Sequence, residues 1–313
     1  MLILIPDTIA LDLPSTAADR FVVYDASQPF TTAHIEAELL VTWGNSVANF
    51  ASATRDLPRL RVVQTLNAGP DQALQAGFAP HVQICSGRTL HDEPVTEHTL
   101  GLILALQRRL PELVVAQQRH EWQGAMVPAQ ADPATRQQYT LRGARVVIVG
   151  YGSIAATLTP HLQALGATVV GIATTSGERG GVPVSAWSER ATVLRDADVV
   201  VSILPHVPAT ERICDAAFFA LLPAHACFVN VGRGKTVDEA ALVAALRGGV
   251  FRAAAIDVTA VEPLPAESPL WECPNLYITP HVAGGRPLGG AALVQAQVAA
   301  LHAGTPLRNL AQR

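Results

Sequence analysis

The sequence is poor in charge and contains no cluster of basic residues. Only 15% of its 313 residues are Asp, Glu, Lys or Arg, and the formal net charge is −4. A protein that binds nucleic acid or an anionic membrane presents Lys and Arg side chains as a patch or stripe, and no such grouping occurs along this chain. The composition therefore predicts that neither nucleic acid nor a membrane is a partner.

Long apolar runs and paired cysteines are missing as well. No apolar stretch approaches the roughly 20 residues that span a bilayer, and the run at residues 1–5 has no basic segment before it, which favours a first strand over a signal peptide. The cysteines are scattered: Cys85, Cys214, Cys227 and Cys273. Because no C-x-x-C pair occurs, they indicate buried, reduced thiols in a cytoplasmic protein, and no metal site is predicted.

What the chain does have is enough length and apolar content, 313 residues and 49%, for two domains of ordinary size. Up to about residue 87, short apolar segments alternate with helix-compatible stretches, which is typical of a small α/β domain with a parallel sheet. The segments are residues 2–5, 21–24, 39–43, 62–66 and 82–85. Helical periodicity over residues 94–119 predicts one long helix that leaves this domain, and Gly124, Pro128 and Pro133 indicate a polar loop after it.

The segment VVIVGYGSIA at residues 146–155 joins an apolar strand to a glycine turn and a helix. Gly150 allows the tight turn, Gly152 lets the backbone approach a pyrophosphate, and Ala155 fills the third position of the G-x-G-x-x-G/A pattern. A second apolar strand at residues 168–172 completes the unit. This context predicts a bound dinucleotide with its pyrophosphate at the helix N-terminus. The predicted contacts in this turn are Gly150, Gly152, Ser153 and Ile154.

Later apolar runs predict further strands, covered by helices on both faces, at residues 198–204, 227–231, 252–258 and 276–279. Near their ends, Arg233 lies between two glycines, where it would clamp a carboxylate or simply be a surface arginine in a turn. Glu262, next to Pro263, either orients a histidine or is a solvated loop carboxylate. His281 follows a strand and precedes two glycines, and this position favours a catalytic role over a structural one.

In this order, the glycine turn and the segments VNVGRG (229–234), DVTAVEPLP (257–265) and TPHVAG (279–284) resemble the D-isomer-specific 2-hydroxyacid dehydrogenase family. The resemblance extends over nearly the whole chain. It implies Arg233, Glu262 and His281 as the catalytic residues, with His281 as the acid/base. It implies Ala68, Gly69 and Arg233 as the groups that bind the substrate carboxylate. Further cofactor contacts implied by the family are Pro205, Thr210, Val231, Asp257, His281 and Gly284, with Asp257 beside the nicotinamide.

The family architecture implies a Rossmann-type cofactor domain, with a doubly wound parallel sheet, inserted into a smaller flavodoxin-like α/β substrate domain. In this chain the substrate domain would comprise residues 1–97 and 283–313, and the dinucleotide-binding domain residues 98–282. The active site would lie in the cleft between them, where hinge closure excludes water from the hydride.

The implied activity is hydride transfer between NAD(P)H and a small 2-oxo acid such as glyoxylate or hydroxypyruvate. Glu262 favours this reaction over that of the related formate dehydrogenases, which pair the histidine with glutamine. Two alternatives stay open: a dinucleotide-sensing protein similar to a transcriptional corepressor with little or no turnover, and oxidation of another small anion such as phosphonate. A fold alone does not decide among them.

The coenzyme preference depends on the end of the second strand of the unit. An NAD-specific protein places an acidic residue there to bind the ribose hydroxyls, but this sequence has Ala173. Thr174, Thr175 and Arg179 follow and offer hydroxyls and a cation to a 2′-phosphate. NADP is therefore favoured over NAD, although Glu178 would restore the preference for NAD if it turned toward the ribose.

Family members usually form dimers through the cofactor domain, so the resemblance implies a homodimer. The apolar helix at residues 99–110, which contains Leu100, Ile103, Leu104 and Leu106, is the expected interface. Ordinary packing of this helix against its own domain is the alternative.

Overall fold

The computed structural model describes residues 1–135 and 138–311, which form two compact units. Unit 1 contains residues 1–91 and 286–311, and unit 2 contains the described residues from 92 to 285. Each unit has its own sheet and its own hydrophobic clusters. The chain is therefore an α/β protein in which one unit interrupts the sequence of the other.

Both units consist of helices and of strands that are parallel except for one pair. The strands are β1 (Leu2–Pro6), β2 (Arg20–Tyr24), β3 (Ala37–Thr42), β4 (Val62–Thr65), β5 (Gln83–Cys85), β6 (Arg145–Val149), β7 (Thr168–Ala173), β8 (Gly177–Arg179), β9 (Val182–Ala186), β10 (Val199–Ser202), β11 (Cys227–Asn230), β12 (Ala253–Ile256) and β13 (Leu276–Ile278). The helices are α1 (Val47–Asp56), α2 (Asp71–Gln75), α3 (Asp92–Gln107), α4 (Leu110–Gln118), α5 (Met126–Ala131), α6 (Ser153–Ala164), α7 (Arg190–Leu194), α8 (Ala216–Phe219), α9 (Glu239–Arg247) and α10 (Gly290–Ala303).

Unit 1 is built on a five-stranded parallel sheet with the order β2-β1-β3-β4-β5, which is the order of flavodoxin-like folds. Alternate residues of β1 lie in two different clusters, Leu4 on one face and Ile3 on the other, so both faces of the sheet are covered. The C-terminal helix α10 is fixed to this sheet by a fully buried amide, because Gln297 Nε2 donates to Gln64 Oε1 (2.6 Å). Both ends of the chain thus belong to one core.

Unit 2 is built on an eight-stranded sheet with the order β13-β12-β11-β10-β6-β7-β9-β8. All neighbouring pairs are parallel except β8 and β9. The chain winds outward from β6 in both directions, so the junction of β6 and β10 is the switch point at which doubly wound sheets bind ligands. Ile148 and Val149 lie in separate clusters on the two faces. The predicted Rossmann-type doubly wound fold is confirmed.

Two local predictions are wrong. The helix predicted over residues 94–119 is two helices, α3 and α4, separated at Arg109, which has a left-handed backbone (φ +54°). The reason is Pro111, which lacks an N–H and would clash with the carbonyl four residues earlier, so it is tolerated only in the first turn of a new helix. The polar loop predicted after this helix contains α5, with Pro128 inside the helix.

The helix expected at a dimer interface packs against its own unit. In α3, Ile103 is fully buried and Leu106 is 2% exposed, and both belong to the core of unit 2. The alternative of ordinary core packing is therefore the one that the structure shows for these two residues. Within the described ranges, no helix combines the length and the apolar character that crossing a bilayer requires.

Candidate active site

The glycine turn after β6 lies at the switch point of unit 2, and its two glycines have different roles. Gly150 has φ +93°, and a Cβ there would lie 2.7 Å from the carbonyl oxygen of Ile203, after β10. The fold itself therefore requires this glycine. A Cβ on Gly152 would meet no atom of the described residues within 4 Å. Internal packing does not require this second glycine, whereas close approach of a ligand would.

Helix α6 begins at Ser153, immediately after this turn. The N–H groups of a helix's first turn have no acceptor within the helix and attract anions. The turn and the helix start therefore fit the pyrophosphate of a dinucleotide. The sequence gave no indication that Asp92 contacts this turn. Ser153 Oγ donates to Asp92 Oδ1 (3.0 Å), although the two residues are 61 positions apart.

The β8–β9 hairpin, which the sequence analysis did not predict, brings a cation to the same turn. Arg179 Nη1 donates to the carbonyl oxygen of Tyr151 (2.7 Å). Thr174 and Thr175 are exposed after β7. Since side chains alternate along a strand, Glu178 lies on the opposite face of β8 from Arg179.

Of the further expected cofactor contacts, two lie in the segment after β10. Thr210 Oγ1 donates to the carbonyl oxygen of Pro205 (2.7 Å) and accepts from the N–H of Val207 (2.9 Å). Thr210 therefore closes the turn that begins at Pro205. Val231, which follows β11, is 7% exposed, and Gly284 is half-buried.

Arg233 follows β11, whose neighbours in the sheet are β10 and β12. A Cβ on Gly232 would lie 2.6 Å from the backbone of Leu204, after β10, and one on Gly234 would lie 1.9 Å from the backbone of Thr259, after β12. The chain thus passes between two neighbouring loops, and only glycine fits on either side of the arginine. Arg233 itself is half-buried, and its Nη1 donates to the carbonyl oxygen of Gly232 (2.8 Å).

His281 and Glu262 form a hydrogen-bonded pair. His281 Nδ1 lies 2.7 Å from Glu262 Oε2, and the second carboxylate oxygen accepts from the N–H of Thr259 (3.0 Å). The side chains are 48% and 37% exposed, so both are accessible from solvent. The other ring nitrogen, Nε2, has no hydrogen-bond partner among the described residues. The pair thus has the arrangement of a general acid/base whose orientation is fixed by a carboxylate.

We call residues 279–283, which carry this histidine, the histidine loop. His281 adopts a left-handed backbone (φ +53°), and its N–H donates to the carbonyl oxygen of Asp257 (2.7 Å). The carboxylate of Asp257, expected beside the nicotinamide, is buried and accepts hydrogen bonds from this loop. Its contact with the cofactor stays a prediction.

In unit 1 we call residues 66–69 the amide loop, because they include the N–H groups expected to bind a carboxylate. The loop follows β4, and two of its carbonyl oxygens accept hydrogen bonds that hold it in place. The carbonyl oxygen of Leu66 accepts from His91 Nε2 (2.7 Å), and that of Asn67 accepts from the N–H of Gly87 (2.7 Å). The N–H groups of Ala68 and Gly69 have no acceptor among the described residues, so the loop presents two backbone donors.

Comparison with known proteins finds the same family that the sequence motifs resemble. The family model described as D-isomer specific 2-hydroxyacid dehydrogenase, NAD binding domain, matches residues 100–283. A glyoxylate/hydroxypyruvate reductase B of Klebsiella pneumoniae is 31% identical over 242 residues, which cover 76% of this chain and 73% of that protein. A glycerate dehydrogenase of Methylorubrum extorquens is 28% identical over 242 residues, with coverages of 76% and 74%.

Two solved structures are similar over almost the entire chain. A D-isomer specific 2-hydroxyacid dehydrogenase from Xanthobacter autotrophicus, in complex with NADPH and MES, has a TM-score of 0.82 and 27% identity, covering 99% of this chain and 97% of that one. An NADPH-dependent glyoxylate/hydroxypyruvate reductase from Sinorhizobium meliloti, in complex with NADP and sulfate, has a TM-score of 0.79 and 25% identity, with coverages of 99% and 98%. This chain belongs to the D-isomer specific 2-hydroxyacid dehydrogenase family and carries its Rossmann-type NAD-binding domain.

Proposed function

We propose that this 2-hydroxyacid dehydrogenase reduces a small 2-oxo acid to the D-2-hydroxy acid, with NADPH as the preferred coenzyme and His281 as the acid/base. The observation that carries the proposal is the 2.7 Å contact between His281 Nδ1 and Glu262 Oε2. A carboxylate on Nδ1 fixes the orientation of the ring and leaves Nε2 as the atom that transfers the proton. A protein that only senses a dinucleotide has no need for such a pair.

In the reducing direction His281 donates its Nε2 proton to the carbonyl oxygen of the substrate, and in the oxidising direction it accepts the proton of the hydroxyl. Glu262 keeps the ring in the required orientation in both directions. The nicotinamide, when bound, supplies or accepts the hydride. A positioned acid/base of this kind contributes roughly 10²- to 10⁴-fold to the rate.

The carboxylate of the substrate requires a separate set of donors. We assign it to the guanidinium of Arg233, which binds a carboxylate through two parallel hydrogen bonds, and to the N–H groups of Ala68 and Gly69. The same donors would polarise the neighbouring carbonyl, because negative charge develops on its oxygen during reduction. The free N–H groups of the amide loop support this assignment.

The residues that would hold the coenzyme follow from the fit of the glycine turn. Gly150 and Gly152 would admit the pyrophosphate, and the N–H groups of Ser153 and Ile154 at the start of α6 would bind it. Thr174, Thr175 and Arg179 would contact the 2′-phosphate. The other contacts are carried over from the family: Pro205, Thr210, Val231, Asp257, His281 and Gly284.

Three observations support NADPH. Ala173 removes the carboxylate that would repel a 2′-phosphate; Arg179 is held at the glycine turn through Tyr151; and Glu178 lies on the other face of its strand. Related structures from Xanthobacter autotrophicus and Sinorhizobium meliloti contain NADPH and NADP.

The coenzyme preference is tested by kcat/KM for NADPH and NADH. Arg179→Ala should lower kcat/KM for NADPH about tenfold and leave that for NADH within about twofold, because a charge-assisted hydrogen bond contributes about 1.5–3 kcal/mol. Glu178→Ala is the matched control in the neighbouring position. A fivefold or greater preference of the unaltered protein for NADH would contradict the proposal.

The relatives, which include glyoxylate/hydroxypyruvate reductases and a glycerate dehydrogenase, support a small 2-oxo acid as the substrate. The test is the oxidation of NADPH and NADH, followed by absorbance, with 2-oxo acids from glyoxylate to phenylpyruvate. Turnover that falls as the side chain of the substrate grows would support a small 2-oxo acid. Tight coenzyme binding without turnover of any member would contradict the proposal and favour the dinucleotide-sensing alternative.

We also propose that the chain forms a homodimer through unit 2. Since Ile103 and Leu106 lie in the core, the surface that supports this proposal is in and after α4, where large apolar side chains are exposed: Leu110 (48%), Val114 (51%), Val115 (44%) and Trp122 (96%). Light scattering should give the mass of a dimer, and Val114→Glu should reduce it to that of a monomer.

We propose that the protein is cytoplasmic. The four cysteines are unpaired and buried, and burial raises the pKa of the Cys85 thiol to about 11 and that of Cys214 to about 12. Such thiols stay protonated and unreactive near neutral pH. Fractionation of cells that produce the protein tests the proposal.

A further inference from the structure

The histidine loop is held in place by a single buried carboxylate. Asp257 is 2% exposed. Its Oδ1 accepts from Thr279 Oγ1 (2.6 Å) and from the N–H of Val282 (3.0 Å), and its Oδ2 accepts from the N–H of Ala283 (3.0 Å). These donors lie on both sides of His281 in the sequence. The left-handed backbone of His281 is therefore fixed from both ends by one side chain.

A second histidine reaches this carboxylate from helix α3. His98 Nε2 lies 3.0 Å from Thr279 Oγ1 and 3.3 Å from Asp257 Oδ1. The hydroxyl of Thr279 already donates its hydrogen to Asp257, so toward His98 its oxygen acts only as an acceptor. His98 Nε2 must therefore carry a hydrogen and donate it.

This contact joins parts of unit 2 that are 181 positions apart in sequence. A buried carboxylate is tolerated when donors surround it and is costly when one donor is lost. Without His98, one hydrogen bond to the Thr279 oxygen and the nearest ring N–H to Asp257 are lost, and the support of the histidine loop weakens. Misplacement of a reacting group by about 1 Å is enough to lower a rate by about 10²-fold.

We propose that His98 is a positioning residue for the reaction: through Thr279 and Asp257 it holds the backbone of the histidine loop, and hence His281, in the orientation needed for proton transfer. The inference deepens the proposed function, because it assumes that His281 is the acid/base. His98 touches neither the substrate nor the coenzyme in this assignment.

The test compares His98→Leu, which removes the donor, with His98→Gln, which keeps an N–H donor at the position of Nε2. His98→Leu should lower kcat about tenfold, with the Kd for NADPH, measured by fluorescence titration, within about twofold. His98→Gln should restore kcat to within about threefold of the unaltered protein. His161→Leu, an exposed histidine on α6, is the matched control and should leave both quantities unchanged.

A second readout needs no turnover. With ¹⁵N-labelled histidine, the backbone amide of His281 is assigned by its loss in His281→Ala. In His98→Leu this amide should change its chemical shift and exchange with solvent about tenfold faster, whereas in His98→Gln and His161→Leu it should not. This measurement needs no substrate, so it tests the role of His98 even if no 2-oxo acid is reduced. The absence of reduction would contradict the proposed function and not the role of His98.

Three results would overturn the proposal: an unchanged His281 amide in His98→Leu, an unchanged kcat in that variant, or a loss of kcat that His98→Gln shares. If His98→Leu does not fold, Thr279→Val and Thr279→Ser repeat the comparison, since valine removes the hydroxyl and serine keeps it. Equal kcat values for these two variants would equally overturn it.

Discussion

The amide loop of unit 1 and the histidine loop of unit 2 are built on the same plan but present different chemistry. Each loop follows a parallel strand, and each accepts a hydrogen bond from a histidine Nε2. His91 donates to the carbonyl oxygen of Leu66, and His98 donates to the hydroxyl oxygen of Thr279. The amide loop is held through backbone carbonyls and presents backbone N–H groups. The histidine loop is held through a buried carboxylate and presents a side chain.

The difference predicts how each loop responds to mutation. A function performed by N–H groups survives most changes of side chain, and it is lost when the loop is displaced or a donor is removed. A function performed by an imidazole is lost with that residue. We therefore expect the largest effects in the histidine loop and graded effects in the amide loop.

The largest expected effect is that of His281→Ala. Loss of the acid/base should lower kcat about 10³-fold, while the Kd for NADPH stays within about twofold, because the pyrophosphate is bound by the glycine turn. Steady-state kinetics and fluorescence titration measure the two quantities, and His161→Ala serves as the control. Turnover near that of the unaltered protein would reject the assignment and remove the basis of the comparison.

Arg233→Ala should have the next largest effect. Because the guanidinium is assigned to both binding and polarisation, KM for the 2-oxo acid should rise and kcat should fall, with kcat/KM lowered about 10²-fold. Arg233→Lys keeps the charge but loses the two parallel hydrogen bonds. Its kcat/KM should therefore lie between that of Arg233→Ala and that of the unaltered protein. A rise in KM with kcat unaltered would assign Arg233 to binding alone.

Ala68→Pro tests the amide loop directly, because it removes the N–H of residue 68. A lost hydrogen bond to a charged group contributes about 1.5–3 kcal/mol, so KM for the 2-oxo acid should rise at least about tenfold. Ala68→Ser keeps the N–H and is the matched control. If the serine variant is as impaired as the proline variant, the side chain matters and the contrast between the loops fails.

The smallest expected effect is that of His91→Leu, which leaves the carbonyl oxygen of Leu66 without its side-chain donor. A buried acceptor without a partner costs about 1–3 kcal/mol, and the free energy of unfolding of the protein, measured in urea, should fall by that amount. The exposed His81 provides the control His81→Leu. An unchanged stability would show that the Leu66 carbonyl finds another donor.

Much of the fold was predictable because the inner strands of both sheets are covered on both faces. A strand buried on both faces must be apolar throughout, and the five segments predicted in unit 1 and the runs at Val146, Val199 and Cys227 all form strands. The hairpin of β8 and β9 was not predicted, because β8 is exposed and three residues long. The break between α3 and α4 was missed since the apolar periodicity continues across it.

Candidate residues that act through side chains next to glycine or proline were visible in the sequence, as Arg233, Glu262 and His281 were. Residues that act through distant partners were not. His98 and Thr279 are 181 positions apart, and Asp92 and Ser153 are 61 apart. No local pattern relates such pairs, because it is the sheet order that brings them within hydrogen-bond distance.

The sequence by itself determined the class of fold, the glycine turn, the order of the motifs and the lack of an acidic residue at Ala173, because each depends on local backbone conformation or on the type of one residue. Only the tertiary structure decided that Gly150 is required by the backbone that follows β10 while Gly152 is not, that Arg179 reaches the glycine turn, and that Asp257 and His98 contact the histidine loop. These depend on contacts between segments far apart in the chain, which arise only when the parallel strands pair and their ends meet at one edge of the sheet.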